Sequence, residues 1–134
     1  MVYGKGCKGN YTKLSSLAVK TPLFPKYNNK RSMIYIDNLS EFIKQVINNK
    51  STGLFFPQNS EYVNTSEMVK KIAEFRGKKL ILTKLFNPVL KLLKVGIVNK
   101  IFGDLVYNQN LSGFESNYIV VSFDDSIKNT EMEK

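Results

Sequence analysis

The chain has 134 residues, 43% of them hydrophobic and 23% charged, which suits one packed domain and excludes global disorder. One Cys excludes a disulfide framework and a multi-Cys zinc site, and the absence of His excludes His bases, His triads and His metal ligands. A net charge of +9 and a pI near 9.6 call for anionic partners or a well-solvated surface.

Residues 1–10 read as a strand end running into a glycine-rich loop. A short helix follows over 11–20, with Leu14, Leu17 and Ala18 at helical spacing. Pro22 and Pro25 break it into an extended segment. After an Asn28-Asn29-Lys30 turn, 31–36 reads as a strand rich in β-formers. Asp37 is placed to cap the next helix, where Leu39, Phe42, Ile43, Val46 and Ile47 recur at amphipathic spacing. Leu54-Phe55-Phe56 reads as a short buried strand. A helix over 65–76 follows, capped by Asn64 or Thr65. Met68, Val69, Ile72 and Ala73 form its apolar face, and Gly77 is placed just past its end. Leu80-Ile81-Leu82 reads as a strand. Asn87-Pro88 opens a helix over 88–95 that Gly96 stops. Leu105-Val106-Tyr107 reads as another short strand, and Tyr118 to Val121 as a last extended piece. A closing helix over 122–130 carries Asp124 and Asp125 in its first turn, where negative charge is favoured. Strands and helices alternate, so the expected class is α/β with a small mixed sheet and flanking helices, in a single unit over 1–134. No apolar run approaches the ~18 residues of a membrane span, and Met1 opens no secretory signal pattern. The expectation is a cytoplasmic chain with no membrane partner.

The basic residues are spread along the chain, in groups such as Lys5/Lys8, Lys70/Lys71 and Lys78/Lys79. Only Arg31 and Arg76 are arginines, whereas phosphate and base contacts favour Arg. Scattered solvation is the plainest reading of the charge, then a small anionic ligand, with nucleic acid disfavoured. Gly4-x-Gly6-x-x-Gly9 matches the dinucleotide-binding fingerprint in letters. A full strand before it and an acid about 20 residues on for the ribose are both missing, so it reads as a plain loop. Cys7 between Lys5 and Lys8 has no partner base. The carboxylates, Glu131 among them, form no acid–base pair or metal spacing. Arg31, at the start of a buried-looking strand, could clamp a phosphate, or it could be a surface Arg.

One family resemblance draws these pieces together. Val2-Tyr3-Gly4, then Gly9-Asn10, a Pro-bounded loop and Arg31-Ser32-Met33-Ile34-Tyr35-Ile36-Asp37-Asn38-Leu39 resemble the C-terminal part of NAD-dependent epimerase/dehydratases. These are extended short-chain dehydrogenase/reductases acting on sugar nucleotides, of the UDP-glucose 4-epimerase kind. Gly53 to Phe56, Tyr62 to Val69, Gly103 to Val106 and Val121 to Ile127 resemble that family's later blocks in the same order. The resemblance implies a lobe that binds a UDP-sugar beside an N-terminal Rossmann domain that carries NAD. It implies that Asn10 and the Tyr11 amide lie near the phosphates, that Leu23 and Phe24 lie along the uracil, and that Arg31 grips the diphosphate. It implies a structural role for Asp37. The family's cofactor loop and its Tyr-x-x-x-Lys pair have no counterpart here: Tyr27 comes closest, with Arg31 four residues on. Its second phosphate Arg is also missing, because Lys100-Ile101-Phe102-Gly103-Asp104 stands at that place. The chain alone is therefore expected to bind no cofactor and to be catalytically inactive. The alternative expectation is a stand-alone basic module for nucleic acid or anionic polysaccharide.

Overall fold

The computed structural model describes residues 1–86, Pro88 and residues 102–132. The elements run β1 (Val2–Tyr3), α1 (Asn10–Lys20), β2 (Leu23–Pro25), β3 (Ile34–Tyr35), α2 (Ile36–Asn48), α3 (Thr65–Phe75), β4 (Ile81–Thr83) and α4 (Phe123–Met132). A 3-10 turn at Gln109–Leu111 precedes α4. The class is α/β. The expected mixed sheet is corrected to two separate two-stranded sheets, both parallel: β1 with β3, and β2 with β4.

The strand expected over 31–36 shrinks to Ile34–Tyr35, for a reason visible in its hydrogen bonds. The segment is extended, but its neighbours change every residue or two. Arg31 exchanges bonds with Val63, Ser32 donates to Leu105 O, Ile34 donates to Met1 O, and Met33 O accepts from Asn59. No single neighbour runs beside it long enough to build a ladder. The helix then starts at once, at Ile36. Asp37 does not cap it; Tyr35 holds that position with no side-chain bond, and Asp37 sits in the first turn, favourable to the helix dipole.

Residues 54–56 form no strand either. Leu54 is 80% exposed, while Phe55 packs edge-to-face on Phe42 and Phe114. These aromatics serve a satellite core under α2 rather than a ladder. Of 105–107, Leu105 alone joins a bridge, to Arg31. The 118–121 segment finds its partner in a side chain. Asn38 Oδ1 accepts from the Val120 and Val121 amides at 3.0 and 2.9 Å, and Asn38 Nδ2 donates to Val121 O. One buried amide there replaces a neighbouring strand. The helix expected over 88–95, with Asn87 and Gly96 at its ends, lies outside the described residues.

The α3 expectation holds in detail. Asn64 Oδ1 accepts from the Ser66 and Glu67 amides, satisfying two free donors of the first turn. Met68, Val69, Ile72 and Ala73 are buried on its apolar face. Each of the three larger ones stabilises the fold by about 1.5–3 kcal/mol. Gly77 follows with φ 64, a left-handed conformation that a Cβ would strain. On α1, Tyr11, Leu14 and Ala18 face inward, while Leu17 points outward. Tyr3 lies at the centre, fully buried and stacked on Tyr11 with ring centroids 5.4 Å apart. Its hydroxyl bonds Ser126 Oγ at 2.6 Å and accepts from Asn59 Nδ2, which ties β1 to α4. Among the described residues no helix is long and apolar enough to cross a membrane.

Candidate functional site

The backbone around Arg31 is fixed from two sides. Its amide donates to Val63 O at 3.0 Å, and its carbonyl accepts from the Val63 amide at 2.9 Å. On the other side, Ser32 N donates to Leu105 O and Leu105 N donates to Lys30 O. The buried Asn29 side chain, bonded to the Thr65 amide and hydroxyl, anchors the approach. A side chain on such a backbone loses little further freedom when it binds.

The Arg31 side chain is only 8% exposed. Nη1 donates to Gly103 O at 2.9 Å. Among the described residues no carboxylate forms an ion pair with it. The undescribed stretch next to Phe102, residues 89–101, contains no Asp or Glu in its sequence. Burial lowers the guanidinium's pKa, and the nearby Asp104 charge pulls it back up. Asp104 is spoken for by the backbone: its Oδ1 accepts from Lys30 N at 2.7 Å. A guanidinium carries five donors. Left without a contacting counter-charge, it is the group here most in need of an anion.

The five residues expected at the site fall into three groups. Asn10 and Arg31 come together, lining one small cavity with Met1, Leu14, Met33 and Thr65. At about 10 Å³ it has room for roughly one water molecule. Phe24 joins them through Phe102: the two rings lie 5.9 Å apart, and Gly103, the next residue, accepts from Arg31. Leu23 is exposed on β2, beyond that cluster. The Tyr11 side chain turns the other way, its hydroxyl donating to Glu131 at 3.0 Å, so only its amide faces the start of α1.

Glu131 escaped the sequence reading, which placed it among solvated carboxylates. It is 4% exposed. Arg76 Nε donates to it at 2.6 Å, and the Tyr11 and Ser15 hydroxyls donate at 3.0 Å each. These partners lie 55 to 120 residues away in sequence, so no local pattern announces them. The Tyr11 hydroxyl is raised above its ordinary pKa by burial and then by the Glu131 charge. The Tyr3 hydroxyl is raised too, chiefly by burial.

Beside this network lies a cleft of about 450 Å³, lined by the glycine-rich loop together with Arg76 and Glu131. The loop does run from a strand into a helix. Its residues do not fit a dinucleotide, however. The strand before it has two residues, and the acid that follows β3, Asp37, is taken into the first turn of α2. Gly4, at φ 150, is explained by packing, because a Cβ there would collide with the Ile36 side chain. Among the described residues no group of three His, Cys, Asp or Glu could hold a metal ion. No protein-family model, curated protein or solved structure matches the chain.

Proposed function

We propose that this chain is the sugar-nucleotide-binding lobe of an NAD-dependent epimerase or dehydratase. It would hold a UDP-sugar for oxidation by a Rossmann domain outside the sequence described. The observation that carries the reading is Arg31: buried, fixed by backbone bonds to Val63 and Leu105, and without an ion-pair partner among the described residues. A diphosphate is the natural complement, since it accepts several guanidinium donors in one plane. Asn10, in the first turn of α1, lines the same one-water cavity as Arg31, which is too small to hold the diphosphate itself. Phe24, joined to Arg31 through Phe102 and Gly103, is where the base would lie.

The lobe's contribution is positioning. Holding the nucleotide rigidly turns the sugar's encounter with a reactive centre into a local event. NAD, held by the other domain, would supply the hydride acceptor. No residue of this chain takes part in that step, so the isolated chain is expected to turn over no UDP-sugar. Calorimetric titration tests the binding: UDP-glucose should bind in the micromolar-to-millimolar range and lose at least ~10-fold on Arg31→Met. Equal binding by wild type and variant would refute the assignment.

The +9 charge supports a second reading, a basic module for nucleic acid or anionic polysaccharide. Some of that charge is met internally, by Lys70–Glu74 and Lys71–Asp124. Affinity for mixed-sequence RNA or heparin that falls steeply with salt and ignores Arg31 would favour it.

A further inference from the structure

We propose that Asp104 sets the charge selectivity of the Arg31 site, favouring a sugar-linked nucleoside diphosphate over the free nucleoside diphosphate. The inference rests on the reading of Arg31 as a diphosphate clamp.

Residues 103–105 are locked against 30–32 at three points: Gly103 O on Arg31 Nη1, Asp104 Oδ1 on Lys30 N, and the Leu105 bridge. The guanidinium end of Arg31 therefore lies against a segment whose next residues, Asp104 and Leu105, are exposed. A phosphate held at the Arg31 guanidinium would lie in the field of the Asp104 carboxylate, one residue on from the carbonyl that Arg31 donates to. Asp104 has no other described cation to neutralise it. The neighbouring Lys30 ammonium sits over the Tyr62 ring, 5.9 Å from its centroid, and no ion pair among the described residues includes Asp104. Asp104 holds the Arg31 pKa up against the lowering by burial, as neighbouring opposite charges do.

In the free chain Asp104 partly compensates Arg31. When a diphosphate arrives, the same carboxylate repels it, and the repulsion grows with ligand charge. Free UDP carries about one more negative charge at pH 7 than a UDP-sugar, because its terminal phosphate has a second ionisation near pH ~6. Asp104 thus penalises UDP more than UDP-sugar.

Asp104→Asn separates charge from structure, because the amide oxygen can still accept from Lys30 N. Affinities for UDP and UDP-glucose are measured on wild type, Asp104→Asn and Arg31→Met at low and moderate salt. Asp104→Asn should tighten UDP by roughly threefold at low salt and UDP-glucose by less, with the gain fading as salt rises. Its Tm without ligand should not rise. An unchanged UDP to UDP-glucose ratio, with binding still dependent on Arg31, overturns this proposal and leaves the diphosphate clamp standing. Equal weakening of both ligands assigns Asp104 a purely structural role and also overturns it. If neither ligand binds the wild type, the clamp reading and this one fall together.

Discussion

Two charged side chains, Arg31 and Glu131, are buried among the described residues, and they are held on opposite terms. At the α1–α3–α4 junction, Glu131 is enclosed by Arg76, Tyr11 and Ser15, every partner supplied from within. At the bridge between residues 31, 63 and 105, Arg31 is nearly as buried but holds a carbonyl and, among the described residues, no ion-paired carboxylate. A buried charge whose partners are all internal does structural work, because removing one strands the others. A buried charge lacking an internal partner lowers stability and persists where something outside completes it. In the proposed reading, this contrast, more than the net charge of the chain, is what assigns the ligand to Arg31.

Mutations can break the comparison. The largest loss is expected at the closed centre. Glu131→Ala leaves Arg76 and two hydroxyls without their acceptor and should cost about 3 kcal/mol in urea denaturation. A loss below about 1 kcal/mol would mean that water replaces the carboxylate freely.

Alkaline pH should act on the same centre. Tyr3 and Tyr11 both have pKa values raised above the free value of 10.0 in the fold, chiefly by burial, whereas the unfolded chain releases their protons there. The unfolded state then binds fewer protons, so stability is present below pH ~10 and falls above it. The slope is about 1.4 kcal/mol per pH unit for each tyrosine. Urea melts between pH 9 and 11 should show it, and Tyr11→Phe should roughly halve it.

Asn64→Ala removes the α3 cap and should cost about 1 kcal/mol without touching binding. The smallest stability effect is expected at the open centre. Arg31→Met keeps volume and removes a buried charge that forms no ion pair among the described residues, so its unfolding free energy should stay within about 1 kcal/mol of wild type. Arg76→Met should cost several times more.

Local structure was legible wherever the cause was local. The α3 cap at Asn64, the left-handed Gly77 and the acidic first turn of α4 each follow from residues within a few positions. Elements misread from the sequence failed for the opposite reason. The 31–36 strand is cut short by a change of neighbours, and 54–56 forms no strand because Phe55 packs on Phe42 and Phe114 instead. Of the candidate site residues, Asn10 and Arg31 share a cavity and Phe24 reaches them through Phe102; that Arg31 has no ion pair among the described residues while Glu131 has one emerges only once the chain is folded.

Because the chain has two arginines, Arg31 and Arg76, the comparison can be read in one spectrum. The side-chain Nε signals of the ¹⁵N-labelled protein are followed while UDP-glucose is added. The account predicts that the Arg31 signal shifts saturably, while that of Arg76, held by Glu131, stays in place. A saturable shift at Arg76 with Arg31 unmoved would contradict it.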